Sequence, residues 1–148
     1  MRSGGQGGDS EPAEQAGCDI EDGASGRPVA EVHGELAEYT ITIERDKVPS
    51  GLVRLEFDNV GALAHEVAIV RAGDPSTVPT TPDGAADDEA LGDDLLGEIE
   101  PFEPGATCAG TFDLAPGDYV LLCNVVEGDD GREAHMAEGM VTTLEVTA

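Results

Sequence analysis

The sequence predicts an all-β fold, a Greek-key antiparallel β-sandwich with a short helical insertion around residues 85–99. Three observations lead there. Short apolar runs alternate with polar residues at period two, the mark of half-buried strands. Turn residues separate these runs, and the chain carries 20 Gly and nine Pro. At 148 residues it is one domain with a tail, long enough to bury a real core. Trp is absent and aromatic residues are few, so that core rests on Val, Leu and Ile.

Residues 1–27 are Gly, Ser, Gln, Asp and Glu with almost nothing apolar, and read as a flexible polar tail. The folded domain spans residues 28–148. Pro28 to His33 forms a first strand. From Glu38 to Glu44, Tyr39, Ile41 and Ile43 share one face, and Thr40, Thr42 and Glu44 the other. Val48-Pro49-Ser50-Gly51 is a turn. Val53, Leu55 and Phe57 then alternate with Arg54, Glu56 and Asp58, Asn59 to Gly61 turns the chain, and Leu63 to Arg71 is the next strand. Residues 72–104 interrupt the rhythm. They are acidic and rich in Pro and Gly, and Leu91, Leu95, Leu96 and Ile99 recur at helical spacing, which predicts a short helix on the sandwich rim. Ala106 to Leu114 and Tyr119 to Asn124 flank the turn Ala115-Pro116-Gly117-Asp118 as a hairpin, and Met140 to Val146 closes the domain. Seven or so short strands between Gly/Pro turns specify the two-sheet sandwich.

Four residues on this frame carry chemistry: His65, Cys123, His135 and Met140. The chain has three His, three Cys and three Met, so this grouping at strand ends is not a matter of abundance. Thiolate, two imidazoles and a weak thioether are the donor set of a blue copper site. His65 shares its face with Leu63, Val67 and Ile69, and Met140 shares its face with Leu144 and Val146, so both point inward. Cys123 ends a strand apolar on both sides, where parity says less. The plain alternative is a core His bonded to backbone, a small buried Cys and a gap-filling Met. Burying an unpaired polar group costs several kcal/mol, and a metal removes that cost for all the donors together.

The chain resembles the cupredoxins, the family of plastocyanin and azurin, over roughly residues 28–148. The resemblance rests on His65-Glu66-Val67-Ala68-Ile69-Val70, on Pro116-Gly117-Asp118-Tyr119-Val120-Leu121-Leu122-Cys123, and on His135-Met136-Ala137-Glu138-Gly139-Met140. It implies one copper per chain held by His65, Cys123, His135 and Met140, cycling between Cu(II) and Cu(I). It implies a one-electron carrier, not an enzyme, that meets a redox partner protein outside the cytoplasm, in an extracellular, periplasmic or cell-surface location. A leader would then lie outside this sequence. Two rivals stand beside it: copper storage or delivery, and a copper-free interaction module. One departure is clear. Eleven residues, Asn124 to Ala134, separate Cys123 from His135, where many cupredoxins place only a few. This resembles a secreted subgroup whose loop carries an extra turn. Met136 is a second candidate for the axial position.

The remaining candidates read as structural. His33 sits beside Gly34, away from the other motifs, and fits an exposed or edge position. Asp87-Asp88, Asp93-Asp94 and Asp129-Asp130 lack calcium-loop spacing and read as solvated surface. An oxidase or reductase would need further copper centres, and only His33 is left over. Cys108 shares a face with Phe112 and Leu114, and Cys18 is the lone cysteine of the tail. In an oxidising compartment they would form a disulfide.

Charge sets the partners. Thirty-two acidic residues against seven basic give a formal net charge of -25, and Lys47 is the single lysine. Nucleic acid is excluded, because phosphate contacts need clustered Lys and Arg. Direct membrane insertion is excluded too, since no stretch approaches the roughly 20 apolar residues of a span. The composition fits a monomer with an acidic, halophilic-type shell that docks a redox partner through that partner's basic surface. Such a shell repels itself, and screening shortens that repulsion from about 10 Å at about 0.1 M salt to about 3 Å at about 1 M. The melting temperature should therefore rise clearly over that range of NaCl. A neutral osmolyte at matched osmolarity should raise it less, and equal effects would remove charge screening as the cause.

Overall fold

The alternation at period two produces two facing five-stranded sheets in a computed structural model, which describes residues 18–20, 26–82, 84–127 and 133–148. In chain order the strands are β1 (Cys18–Ile20), β2 (Ala30–Ala37), β3 (Thr40–Ile43), β4 (Lys47–Pro49), β5 (Gly51–Asn59) and β6 (His65–Arg71). They continue as β7 (Leu95–Phe102), β8 (Thr107–Leu114), β9 (Gly117–Leu122), β10 (Val126–Glu127), β11 (Glu133–Ala134) and β12 (Val141–Thr147). One sheet runs β4–β12–β9–β6–β7 and the other β1–β8–β5–β2–β3. The expected sandwich is present, but both sheets are mixed rather than wholly antiparallel. β2 pairs β5 in parallel, β12 pairs β4 in parallel, and β1 pairs β8 in parallel.

Burial follows the predicted parity. Along β5, Val53, Leu55 and Phe57 are buried while Arg54, Glu56 and Asp58 lie at the surface boundary. β6 and β9 are buried on both faces, because each sits inside its sheet and the outer face of that sheet is also covered. The inner faces meet in one core that includes Phe57, Leu55, Ile69, Ile99, Leu114, Tyr119, Leu121 and Leu144. A second, smaller cluster of Ala68, Val70, Val120 and Leu122 is roofed by Val78, Ala86 and Leu91 from the insertion.

That insertion holds the short helix expected around residues 85–99, over fewer residues. A helix, α1, spans only Asp88–Leu91, capped by the Asp87 side chain accepting from Ala90 N at 3.2 Å, and a 3-10 turn follows over Gly92–Asp94. From Leu95 the chain is strand β7, paired antiparallel with β6. The leucine spacing misled because two surfaces share these residues. Leu91 and Leu95 pack in the outer cluster, while Leu96 and Ile99 pack in the main core. One helical stripe could not reach both, and pairing with β6 satisfies the backbone of both strands. Val48-Pro49, read as turn, belongs to strand β4 beside β12.

Most of the expected tail, residues 1–17 and 21–25, lies outside the described residues. The described piece, β1, lies alongside β8 with Cys18 opposite Cys108. Cys108 is disulfide-bonded, and Cys123 is in no disulfide. The expected Cys18–Cys108 pairing agrees with this register, although the Cys18 side chain is not among the described ones.

Asn59, at the end of β5, organises the turn that leads into β6. It is buried, its Nδ2 donates to Leu63 O at 2.9 Å and to Phe102 O at 3.0 Å, and its Oδ1 accepts from Gly61 N at 3.0 Å. An alanine there leaves buried backbone groups without their partner, at about 1–3 kcal/mol each. Asn59→Ala should lower the unfolding free energy by about 2–3 kcal/mol in urea titration. A loss below about 0.5 kcal/mol would mean the turn orders itself without this side chain.

Candidate metal centre

The sheet order brings three motifs to one edge. β9 lies between β6 and β12 and runs antiparallel to both. The start of β6, the end of β9 and the start of β12 therefore coincide, and they carry His65, Cys123 and Met140. Cys123 N donates to Met140 O at 3.1 Å, one step beyond the Leu122–Val141 pair. His135 arrives by a different route. The long Cys123–His135 loop folds back on itself as the β10/β11 ribbon, with Val126 opposite Ala134, and residues 128–132 at its tip lie outside the described residues. His135 N donates to Val125 O at 2.8 Å, and a tight turn then returns Met140 N to His135 O at 3.1 Å. Gly139 takes φ +108 in that turn, a conformation that L side chains rarely adopt. The described ends of this loop pair as a ribbon, and His135 directly follows it.

Among the described residues, His65, Cys123 and His135 are the group whose metal-type donor atoms gather, all within 4.8 Å of one another. His65 Nδ1 lies 3.1 Å from His135 Nδ1, Cys123 Sγ lies 3.4 Å from His135 Nδ1, and Cys123 Sγ lies 3.8 Å from His65 Nδ1. A point equidistant from these three atoms is about 2 Å from each, close to a metal–nitrogen bond and slightly short of a metal–sulfur bond. The three side chains are 0% exposed. The donor set is one soft sulfur and two imidazoles, the set that suits copper or zinc. Met140 is fully buried in the main core with Cys123. Met136 packs instead against the outer cluster, across the sheet from the main core.

The surroundings fix these donors. His65 Nε2 meets Glu38 Oε2 at 2.8 Å, and Glu38 also accepts from Ala62 N at 3.0 Å and Leu63 N at 2.9 Å. The Ala62 N–H, followed by the His65 ring and the Leu63 N–H, holds the Glu38 carboxyl down at about 2, against the cost of its partial burial. Tyr39 packs edge-on to the His135 ring at 5.1 Å between centroids. Glu66 N points at Cys123 Sγ at 3.5 Å. Asn124 accepts from Ala86 N at 2.7 Å, tying the residue after Cys123 to the insertion. Gly84 lies so close to the His135 turn that a Cβ there would stand 2.7 Å from Ala137 Cβ. The insertion and the ribbon together close the site over His135.

Sequence reasoning named all four candidate ligands, and the fold draws three of them into one triangle with Met140 beside it. It assigned no role to Glu38, Tyr39 and Asn59, which lie in no ligand motif, or to Glu66, which lies in the His65 motif. The one available signal was Glu38, a charged residue at a turn just before an alternating strand. His33 is surface-exposed and 3.1 Å from Glu56 Oε1, apart from the cluster.

No family model matches the chain, and no curated protein matches it. Solved structures do. Auracyanin B is 21% identical over 84% of this chain and 94% of its own, with a TM-score of 0.59. Auracyanin A, a "blue" copper protein from the green thermophilic photosynthetic bacterium Chloroflexus aurantiacus, is 24% identical over 82% of this chain and 100% of its own, with a TM-score of 0.51. Reduced rusticyanin is 19% identical over 85% of this chain and 89% of its own, with a TM-score of 0.53. At these identities the likeness shows the fold, which is that of the cupredoxins.

Glu66 points the other way from His65, onto the outer face, beside Glu98. Burial first, and then the charges of Glu98, Glu100 and Asp88, push its carboxyl up to about 8, and burial also raises Glu98. A raised carboxyl stabilises the fold while protonated. That contribution is whole below the ordinary value of 4.5 and is lost as pH climbs through about 8. Glu66→Gln should therefore melt several degrees above the parent at pH 9 and close to it at pH 5. Parallel melting curves across that range would mean Glu66 is not a buried, neutral acid.

Proposed function

We propose that the chain is a type 1 blue copper protein and carries single electrons outside the cytoplasm. His65, Cys123 and His135 are the equatorial ligands and Met140 is the weak axial one. The observation that carries this reading is the buried triangle of two imidazole nitrogens and one thiol sulfur around a point about 2 Å from each. Copper held there supplies one-electron exchange between Cu(II) and Cu(I).

The chain's own residues suit that task. The donors stand on strand ends and a hydrogen-bonded turn, so they keep their places when the charge at the centre changes. The Glu66 N–H faces the Cys123 sulfur and supports it as an acceptor. Full burial of all three donors excludes water from them. That burial also favours a carrier over storage or delivery, because handing a metal on requires an accessible ligand. The convergence of the donors argues against a copper-free module. His33, the remaining histidine, lies exposed beside Glu56, which gives no support to a second centre or to an enzyme.

Location and partner follow from charge and sulfur. A disulfide at Cys108 favours an oxidising compartment, outside the cytoplasm. No helix among the described residues is long and apolar enough to cross a membrane. A formal charge of -25 favours a monomer that docks a basic surface on its redox partner, with association slowing as salt rises. Residues 28–148 would be the working domain, with Cys18–Ile20 laid along its sheet and the residues before them a polar tether.

Adding Cu(II) to the purified protein should give one bound copper and an intense blue or green colour from thiolate-to-copper charge transfer. Cys123→Ser should abolish the colour, and Met140→Leu should keep it while shifting the reduction potential. A colourless Cu(II) complex, or colour that persists in Cys123→Ser, would sink the reading.

A further inference from the structure

We infer that Glu38 is a positioning residue for the metal centre: its carboxylate fixes the His65 tautomer and tunes the bound metal toward its higher charge state. This rests on the copper reading above. Glu38 does not belong to the strand that carries His65. It sits in the turn between β2 and β3, in the other sheet, and reaches across the end of the sandwich. There its Oε2 stands 2.8 Å from His65 Nε2 and also accepts from the N–H groups of Ala62 and Leu63. Those two residues lead directly into His65. One carboxylate therefore holds both the ring and the backbone that presents it.

The chemistry is one-directional. A carboxylate at 2.8 Å can only accept, so His65 Nε2 carries a hydrogen, and in the neutral ring Nδ1 then carries the lone pair. That lone pair faces Cys123 Sγ and His135 Nδ1. In the metal-free protein the His135 Nδ1, 3.1 Å away, must then be the donor of the pair, since two lone pairs at that distance repel. An imidazole whose far N–H is given to a carboxylate is a stronger electron donor at its other nitrogen, and such partners usually matter 10- to 100-fold in metal affinity. The added negative charge favours Cu(II) over Cu(I). A backbone carbonyl in the same place would orient the ring but would bring no net charge. This separates a tuning role from a merely structural one, which would lower the affinity for both charge states alike.

The test has two parts. In metal-free wild-type protein, nitrogen-15 NMR of the imidazole rings should report His65 as the Nε2–H tautomer and His135 as the Nδ1–H tautomer. In Glu38→Gln, which keeps one acceptor oxygen and loses the charge, Cu(II) affinity should fall about tenfold while Cu(I) affinity changes less than about threefold. The reduction potential should then rise by about 59 mV per tenfold change in that ratio, with the blue colour retained. A His65 ring protonated at Nδ1 would overturn the proposal even if Glu38→Gln does not fold. Equal losses for both copper states, or an unchanged potential, would overturn it while leaving the blue copper reading intact. A wild-type protein that binds no copper would sink the blue copper reading and the tuning role with it, and the tautomer would then decide the positioning role alone.

Discussion

Three fully buried donors gathered at one end of the sandwich are the constraint around which this fold is arranged. Two imidazole nitrogens 3.1 Å apart, with a thiol sulfur 3.4 and 3.8 Å from them, stand close enough together to share one partner. The surrounding structure keeps them there. β6 and β9 are buried on both faces, the Asn59 side chain locks the turn before His65, and Cys123 extends the β9–β12 ladder. Each of these costs little alone because its backbone bonds are made anyway. Together they hold the three donors in positions that one metal ion can satisfy at once.

The insertion and the long ligand loop serve the same end. Residues 72–94 roof the outer face of the sheet through Val78, Ala86 and Leu91, and Asn124 clamps that roof to the residue after Cys123. The β10/β11 ribbon brings His135 under cover, and Gly84 permits the insertion to lie directly on the His135 turn. The result is a centre whose second histidine is fully buried, with Tyr39 packed against its edge.

Much of this was legible in the sequence, and for a physical reason. Period-two alternation around Tyr39, Val53 and Leu63 reports burial directly, because a strand has only two faces. The donor cluster of His65, Cys123 and His135 was legible because thiol and imidazole are rare in this chain and fall at strand ends. The insertion's short helix was legible but its end was not, because Leu91, Leu95, Leu96 and Ile99 serve two different cores and only look like one stripe. β4 was hidden because three residues at a sheet edge carry almost no pattern. Glu38 was hidden for a deeper reason: its partner is 27 residues away, and in a chain with 32 acidic residues little beyond its place before an alternating strand marks the carboxylate that is aimed at His65.

That abundance of acid raises the question of which charges the buried centre feels. Surface charges act through solvent and fade beyond about 10 Å at about 0.1 M salt, and beyond about 3 Å at about 1 M. Groups in contact with the site are screened much less. Of the two glutamates closest in sequence or space to His65, Glu66 is buried beside other carboxylates and held up at about 8, so at neutral pH it is largely neutral. Glu38 is held at about 2 by backbone N–H groups and the His65 ring, so it is fully ionised. Opposite environments thus give two like residues opposite charge states within reach of one ligand. As salt rises, the field of the outer shell drops away and Glu38 remains. The charge that governs the centre is then a single hydrogen-bonded carboxylate, while the other acidic groups govern solubility and encounter with a partner.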